Sequence, residues 1–161
     1  MGNSMRLESW VFIVVYILTT VLLFFIPKNK LRLAVVAFLF KQILTFSLGL
    51  IVVEIGLLEY PVRIFPSVSR ASFTYEYYAY PVTCAIFNVW YPTKRNIFIQ
   101  LGYYAAFCSV LTFGEVLIEK YTDILTYVHW NWYITWISLF LTFFLTRLFC
   151  IWFFKKESVK H

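Results

Sequence analysis

Residues 134–154 have the sequence ITWISLFLTFFLTRLFCIWFF, in which Arg147 is the one charged residue. An α-helix needs about 20 predominantly apolar residues to cross ~30 Å of hydrocarbon. In lipid, each backbone N–H and C=O must find its partner within the membrane-embedded structure, so this run predicts a transmembrane helix. A transmembrane β-strand would alternate apolar and polar residues over about ten positions, and Leu139-Phe140-Leu141 does not alternate.

Four similar apolar runs precede this one, and prolines such as Pro27, Pro61 and Pro92 mark their ends, as residues that cannot continue a helix. Together the runs predict five spans, at approximately residues 10–27, 34–58, 71–91, 97–118 and 134–154. The expected fold is therefore all-α: a polytopic membrane protein with one membrane domain over residues 1–161, built as a bundle of five transmembrane helices.

The composition supports a membrane protein. Hydrophobic residues make up 61% of the chain and charged residues only 14%, with a mean hydropathy of +0.75. Soluble domains are nearer half apolar and a quarter charged, so a soluble globular protein, a disordered chain and a nucleic-acid binder are excluded. The three cysteines lie inside the predicted spans without CxxC spacing, which predicts neither a disulfide framework nor a metal site. No cofactor is expected.

Lysine and arginine flank the spans unequally, and cytoplasmic loops of membrane proteins carry the excess. Four basic residues lie on one side: Arg6, Arg63, Arg70 and Lys120. Eight lie on the other: Lys28, Lys30, Arg32, Lys94, Arg95, Lys155, Lys156 and Lys160. This asymmetry predicts an outside N-terminus, a cytoplasmic C-terminus and an inner face held against anionic lipid. Lys41 and Arg147, inside the spans, are expected to extend toward that inner surface.

Seven of the eight acidic residues fall on the opposite, outer side. A charge inside a span is costly, so embedded carboxylates should face other helices or water. We predict an outward-facing polar pocket formed by Glu54, Glu76, Glu115, Glu119, His129, Asn131 and Thr135. Such a group could form ion pairs with Arg63, Arg70 and Lys120, hold a cation or proton, or serve in catalysis.

No nucleotide-binding loop, hydrolase elbow or metalloprotease motif is present, and no catalytic residue is assigned. The small size and the polar helix faces favour a non-enzymatic accessory or sensory subunit that packs against partner helices. The first alternative is a small cation channel or transporter module with an outward-facing acidic vestibule. The second is a membrane-embedded envelope or lipid enzyme. Expected partners are the lipid bilayer and a membrane protein or second copy of the chain, with no nucleic acid.

Three blocks of sequence carry a resemblance to a known family. They are residues 59–66 (EYPVRIFP), 72–81 (SFTYEYYAYP) and 119–147 (EKYTDILTYVHWNWYITWISLFLTFFLTR). The chain resembles a family of small five-span integral membrane proteins of spore-forming Gram-positive bacteria, and the block containing HWNW is the most specific part. The resemblance implies a five-helix architecture and a bacterial plasma membrane. It assigns no activity and no site residue.

Overall fold

The computed structural model describes the backbone of residues 2–158 and the side chains of residues 7–155. Five α-helices run from Gly2–Phe24 (α1), Leu31–Glu54 (α2), Tyr80–Val89 (α3), Ile97–Tyr121 (α4) and Trp132–Ser158 (α5). A 3₁₀ turn at Lys28–Lys30 leads into α2, and a π-helical segment at Phe73–Ala79 leads into α3. Two short strands, Leu58–Glu59 (β1) and Thr126–Tyr127 (β2), follow α2 and α4.

The chain is helical, as predicted, and four of its helices are long and apolar enough to cross a membrane: Leu7–Phe24, Lys28–Glu54, Ile97–Tyr121 and Trp132–Lys155. The third predicted span differs. It consists of the 7-residue π-helical segment and the 10-residue α3, which together are at the short end of the lengths that cross a membrane. The π-helical segment continues directly into α3, with Ala79 and Tyr80 both in the helical conformation. Pro81, which has no N–H to donate, lies just after the change from the π-helical segment to α3.

Helix α3 is the centre of the bundle, with α2, α5 and α1 packed around it. Every residue from Tyr80 to Val89 except Thr83 is buried. The fully buried Phe87 ring contacts aromatic rings of α4 and α5, with centroid distances of 4.7 Å to Tyr104 and 4.9 Å to Phe143. Such pairs contribute beyond their buried area, and here they join α4 and α5 to the central helix.

A small antiparallel ribbon covers one end of the bundle. Leu58 of β1 pairs with Tyr127 of β2, and the Leu57 carbonyl accepts hydrogen bonds from the N–H groups of Val128 and His129. We call residues 57–62 and 123–129 the ribbon. It ties the connection after α2 to the connection after α4, so two segments far apart in sequence close the same end of the bundle.

Arg63 organises the rest of the connection after β1. Its guanidinium donates to three backbone carbonyls, at 2.6 Å (Ser69), 2.7 Å (Tyr60) and 3.1 Å (Pro66). Carbonyls that lack a partner in regular structure are thereby satisfied. The carbonyl of Tyr60 is one of these three, so Arg63 also helps to hold the backbone from which the Tyr60 ring projects.

The two basic residues inside the helices behave differently. The prediction that Lys41 extends to the membrane surface is wrong, because its side chain is 0% exposed and lies among α2, α3 and α5. Arg147 does reach the end opposite the ribbon, where it donates to Thr93 Oγ1 at 2.9 Å. Four residues in the charge count lie outside the described side chains: Arg6, Lys156, Glu157 and Lys160.

Candidate functional site

Glu115 of α4 is held by three hydroxyl groups from three different elements. Its Oε1 accepts hydrogen bonds from the Tyr127 hydroxyl of β2 at 2.8 Å and from Thr135 Oγ1 of α5 at 2.7 Å. Its Oε2 accepts one from the Tyr80 hydroxyl of α3. Hydrogen bonds to an ionised group are stronger than neutral ones, so this carboxylate links the ribbon to the central helix and to α5.

Thr135 is fixed in turn by a tryptophan. The Trp130 indole N–H donates to Thr135 Oγ1 at 2.7 Å, while the same hydroxyl donates to Glu115. Thr135 is buried, at 3% exposure. Because one lone pair of its oxygen accepts from the indole, the Thr135 proton is free to point at the carboxylate. The connection that leads into α5 therefore sets the orientation of the Glu115 side chain.

Glu76, in the π-helical segment, makes a separate contact with the ribbon. Its Oε1 accepts a hydrogen bond from the Tyr60 hydroxyl at 2.9 Å. Its side chain packs on Gly49 of α2, where an added Cβ would lie 3.0 Å from both Cγ and Cδ of Glu76. Thr45, one turn earlier on α2, donates to the Glu76 carbonyl at 2.8 Å. Close approach of α2 therefore depends on the missing side chain at position 49.

Glu76 and Glu115 line one cavity of about 180 Å³. A water molecule's share of liquid volume is about 30 Å³, so the cavity can hold several waters or a small ligand. Leu58 and Tyr60 bound it at the ribbon, and Thr142 lies further into the bundle. The other polar lining residues are Thr45, Tyr80, Trp130, Thr135 and Ser138. We call this space the carboxylate cavity.

A buried cation lies next to this cavity. The Lys41 ammonium donates to Thr142 Oγ1, whose side chain lines the carboxylate cavity, and it lies 4.5 Å from the centroid of the Phe143 ring. Among the described side chains, no carboxylate lies within 4.0 Å of this ammonium. Glu76 interacts with the ammonium only over a longer distance. A buried charge without a counter-ion in contact is costly, and an ionisable residue inside a membrane bundle is a candidate for function.

A second cavity, of about 240 Å³, lies between α1, α3 and α4. It shares Tyr60, Tyr80 and Glu115 with the carboxylate cavity, and its other walls are mostly apolar. Tyr75 also lines it, and the Tyr75 hydroxyl is buried without a hydrogen-bond partner in the described part of the chain. Glu115 therefore lies between the two cavities and borders both of them.

The two ribbon tyrosines stay neutral over a wide pH range. Burial raises the pKa of Tyr60 well above its usual value, and the nearby Glu76 and Glu115 carboxylates raise it further. Burial likewise raises the pKa of Tyr127, and the charge of Glu115 adds to the effect. Since a phenol must keep its proton to donate, both groups remain hydrogen-bond donors to the carboxylates at neutral pH.

The structure brings together only part of the predicted pocket. Glu76, Glu115 and Thr135 line the carboxylate cavity. Glu54 is exposed and forms an ion pair with Arg70, with 3.1 Å between Oε2 and Nη1. The other predicted members lie outside the cavity: half-buried Glu119, exposed His129 and exposed Asn131, which donates to the Tyr133 hydroxyl.

Sequence reasoning missed three features that complete the site: Lys41 as a buried cation, Tyr60 and Tyr127. The two tyrosines belong to short connections, and nothing local in EYPV or LTYV shows that they meet across a ribbon. Lys41 offered a signal, because an ammonium two turns inside an apolar helix is unusual.

Carboxylates of this kind could bind a cation. Within residues 7–155, no group of three or more His, Cys, Asp or Glu side chains is placed to hold a metal ion. The site instead offers two carboxylates, hydroxyl groups and aromatic rings, a set of groups that suits a proton or an organic or monovalent cation. Comparison with known protein families, curated proteins and solved structures finds no match to this chain.

Proposed function

We propose that the protein is a small cation transport module whose binding site is the carboxylate cavity. One observation carries the proposal: Glu76 and Glu115 face the same cavity, and their side-chain hydrogen bonds come from hydroxyl groups, not from lysine or arginine. A carboxylate that serves only structure inside a membrane protein is usually paired with a basic side chain. Here neither carboxylate has a lysine or arginine nitrogen within 4.0 Å in the described part of the chain, and Lys41 acts on Glu76 only over a longer distance.

Electrostatics favour a cation in this cavity. Two carboxylates in one largely desolvated space each lose hydration, and they also repel each other. A cation between them relieves both costs. The rings of Tyr60, Tyr80 and Trp130 border the same space, and aromatic faces attract organic ammonium ions. An organic ammonium ion therefore suits the lining better than a metal ion, which would need more carboxylate or imidazole ligands.

Lys41 limits free passage through the bundle. A cation in the carboxylate cavity would meet the Lys41 ammonium beyond Thr142, and like charges repel strongly where water is scarce. Further movement of a cation then requires the Lys41 side chain to move or to release its proton. This arrangement fits a gated transporter better than an open channel.

The proposed membrane topology has five spans, with the N-terminus outside and the C-terminus in the cytoplasm of a bacterium. The lysine and arginine distribution supports it, and so does the position of α3, which is buried among helices long enough to span a membrane. Reporter fusions after Lys30, Arg70, Lys94 and Asp123 test it. A cytoplasmic signal from the fusion after Arg70 would contradict this topology.

The geometry gives less support to the two alternative functions, an accessory subunit and an enzyme. Helices α1 and α4 expose large apolar side chains, such as Trp10, Phe24 and Phe113, which suit acyl chains as well as a partner helix. For an enzyme, the predicted His129 is exposed and outside the cavity, so the carboxylates lack an imidazole partner there.

Cation-induced currents provide the test. The full chain is reconstituted in liposomes on a solid-supported membrane, and the current is recorded after a jump in tetramethylammonium concentration. We expect Glu76→Gln and Glu115→Gln to lower the current about tenfold or more, since loss of ~1.4 kcal/mol of attraction is a factor of ten. Glu54→Gln is the matched control, because Glu54 is exposed and outside the cavity.

The proposal fails if both cavity variants, eluting as the wild type does in gel filtration, carry the wild-type current. It also fails if Glu54→Gln lowers the current as much as they do. That result would assign the effect to the general negative charge at this end of the bundle and not to the carboxylate cavity.

A further inference from the structure

The second cavity adjoins the carboxylate cavity and shares Glu115, Tyr60 and Tyr80 with it. Its volume is about 240 Å³, and we call it the side cavity. Aliphatic side chains of α1, α4 and the ribbon form much of its remaining wall: Val15, Leu18, Val110, Leu111, Ile118 and Leu125. A ligand group that lies in this space next to Glu115 would therefore contact mainly hydrocarbon.

The other hydroxyl groups around the side cavity are already used or covered. Thr19 Oγ1 donates to the Val15 carbonyl at 2.6 Å, and Thr83 Oγ1 donates to the Ala79 carbonyl at 2.5 Å. The Tyr75 hydroxyl, which has no hydrogen-bond partner in the described part of the chain, is buried and does not face the open space. The walls therefore favour an apolar group over one that needs hydrogen bonds.

Gly114 of α4 gives the side cavity part of its room. It lines this space, and a Cβ added at Gly114 would meet no atom within 4 Å. An apolar cavity of about 150 Å³ is large enough for a benzene ring. The side cavity can therefore hold a phenyl group or a short alkyl chain.

The side cavity reaches the outer surface of the bundle between α1 and α4. Helix α1 packs on α3 and on the π-helical segment, whereas α4 packs on α5. Two residues that line the cavity are largely exposed, Leu18 of α1 at 60% and Val110 of α4 at 72%. Both belong to helices long and apolar enough to cross a membrane, so this opening would face acyl chains.

We propose that the cation bound at Glu115 is an organic ammonium ion with an apolar substituent, and that the substituent occupies the side cavity. This inference rests on the proposed function and names its substrate class. The ammonium group would lie beside Glu115, which has no lysine or arginine nitrogen within 4.0 Å in the described part of the chain. The rings of Tyr60 and Tyr80 border the same place, and aromatic faces attract such ions.

A quaternary ammonium group suits Glu115 for a second reason. The carboxylate already accepts hydrogen bonds from Tyr80, Tyr127 and Thr135. A quaternary nitrogen has no N–H to donate, so it is attracted by charge alone and displaces none of these hydroxyl groups. The opening toward acyl chains gives an ion with an apolar substituent a route to Glu115 that a small hydrophilic cation would not use.

Isothermal titration calorimetry on the full chain in detergent compares two cations. Tetramethylammonium lacks the substituent, and butyltrimethylammonium is longer by three methylenes. Each buried methylene is worth about fourfold in affinity. We therefore expect butyltrimethylammonium to bind at least tenfold more tightly than tetramethylammonium.

Gly114→Leu fills the side cavity and leaves Glu115 in place. We expect this variant to lower the preference for butyltrimethylammonium below threefold, with its affinity for tetramethylammonium within twofold of the wild type. Gly102→Leu is the matched control, because it adds the same side chain to the same helix outside both cavities, and it should keep the tenfold preference. If Gly114→Leu fails to fold, Val110→Phe narrows the same space from an exposed position.

Two results would overturn this inference and leave the proposed function standing. The first is binding of tetramethylammonium that depends on Glu115, with no preference for butyltrimethylammonium in the wild type. The second is an equal preference in the two leucine variants, which would place the butyl group in detergent or in the carboxylate cavity. Failure of the proposed function gives a different result: neither cation binds, or Glu115→Gln binds both as tightly as the wild type does.

Discussion

Replacing Gly49 by alanine tests the packing that places Glu76 in the carboxylate cavity. An added Cβ would lie 3.0 Å from Cγ and Cδ of Glu76 and 3.3 Å from its Oε1. These atoms belong to a flexible side chain, so they can move, and the movement would alter the hydrogen bond between Tyr60 and Glu76. We therefore expect Gly49→Ala to disturb the site more than it disturbs the fold.

Two opposing contributions determine how much Gly49→Ala changes the free energy of unfolding. Alanine is favoured over glycine inside a helix by about 1 kcal/mol, whereas overpacking a filled site costs about 1–3 kcal/mol. Gly102→Ala is the control, because a Cβ at Gly102 of α4 meets no atom within 4 Å. The free energies of unfolding of the two variants should differ by about 1–3 kcal/mol, with Gly49→Ala the less stable.

Thermal unfolding in detergent measures this difference. One kcal/mol corresponds to about 2–4 °C in Tm for a protein of this size, so a gap of several degrees is expected. The tetramethylammonium current should also fall in Gly49→Ala and not in Gly102→Ala. Glu76→Asp shortens this side chain by one methylene. Combined with Gly49→Ala, it should reduce the difference in Tm from Gly102→Ala. Equal Tm values and equal currents in the two alanine variants would refute the reasoning.

Two further predictions concern other parts of the site. Lys41→Met should stabilise the protein by about 1–4 kcal/mol, because a buried ammonium without a carboxylate in contact is costly. Thr142→Val should destabilise it by about 1–3 kcal/mol, because it removes the hydroxyl group that Lys41 binds. A lower Tm for Lys41→Met than for the wild type would contradict this reasoning. Burial raises the pKa of Tyr60, so its contribution to stability is present below the unfolded tyrosine pKa of about 10 and is lost as the pH rises above it. Tm measured from pH 9 to 11 should fall less steeply in Tyr60→Phe than in the wild type, and parallel curves would show that Tyr60 makes no such contribution.

The long helices could be predicted from the sequence because their cause is local. The runs at residues 97–118 and 134–154 became Ile97–Tyr121 and Trp132–Ser158. An uninterrupted apolar run of this length needs its own backbone hydrogen bonds wherever it lies in a membrane. The third run could not be predicted in the same way. Its division into a π-helical segment and α3 depends on burial at the centre of the bundle, where Gly49 of α2 packs on Glu76.

The candidate site, too, could be predicted from the sequence only in part. Glu76 and Glu115 could be identified from the sequence, because an embedded carboxylate is costly whatever surrounds it. The side chains that donate hydrogen bonds to these carboxylates could not be identified in this way. Tyr60 and Tyr127 reach the carboxylates because β1 pairs with β2, which brings together two connections that are far apart in sequence.

The sequence by itself therefore determined which segments are apolar helices and which charges need an explanation, since hydropathy and the cost of burying a charge belong to each residue. Only the tertiary structure decided which carboxylates share a cavity and that the Lys41 ammonium lies beside it without a carboxylate in contact. It also decided that Glu54 is paired at the surface with Arg70. These outcomes depend on distances between helices that are far apart in sequence, and packing at positions such as Gly49 and Phe87 sets those distances.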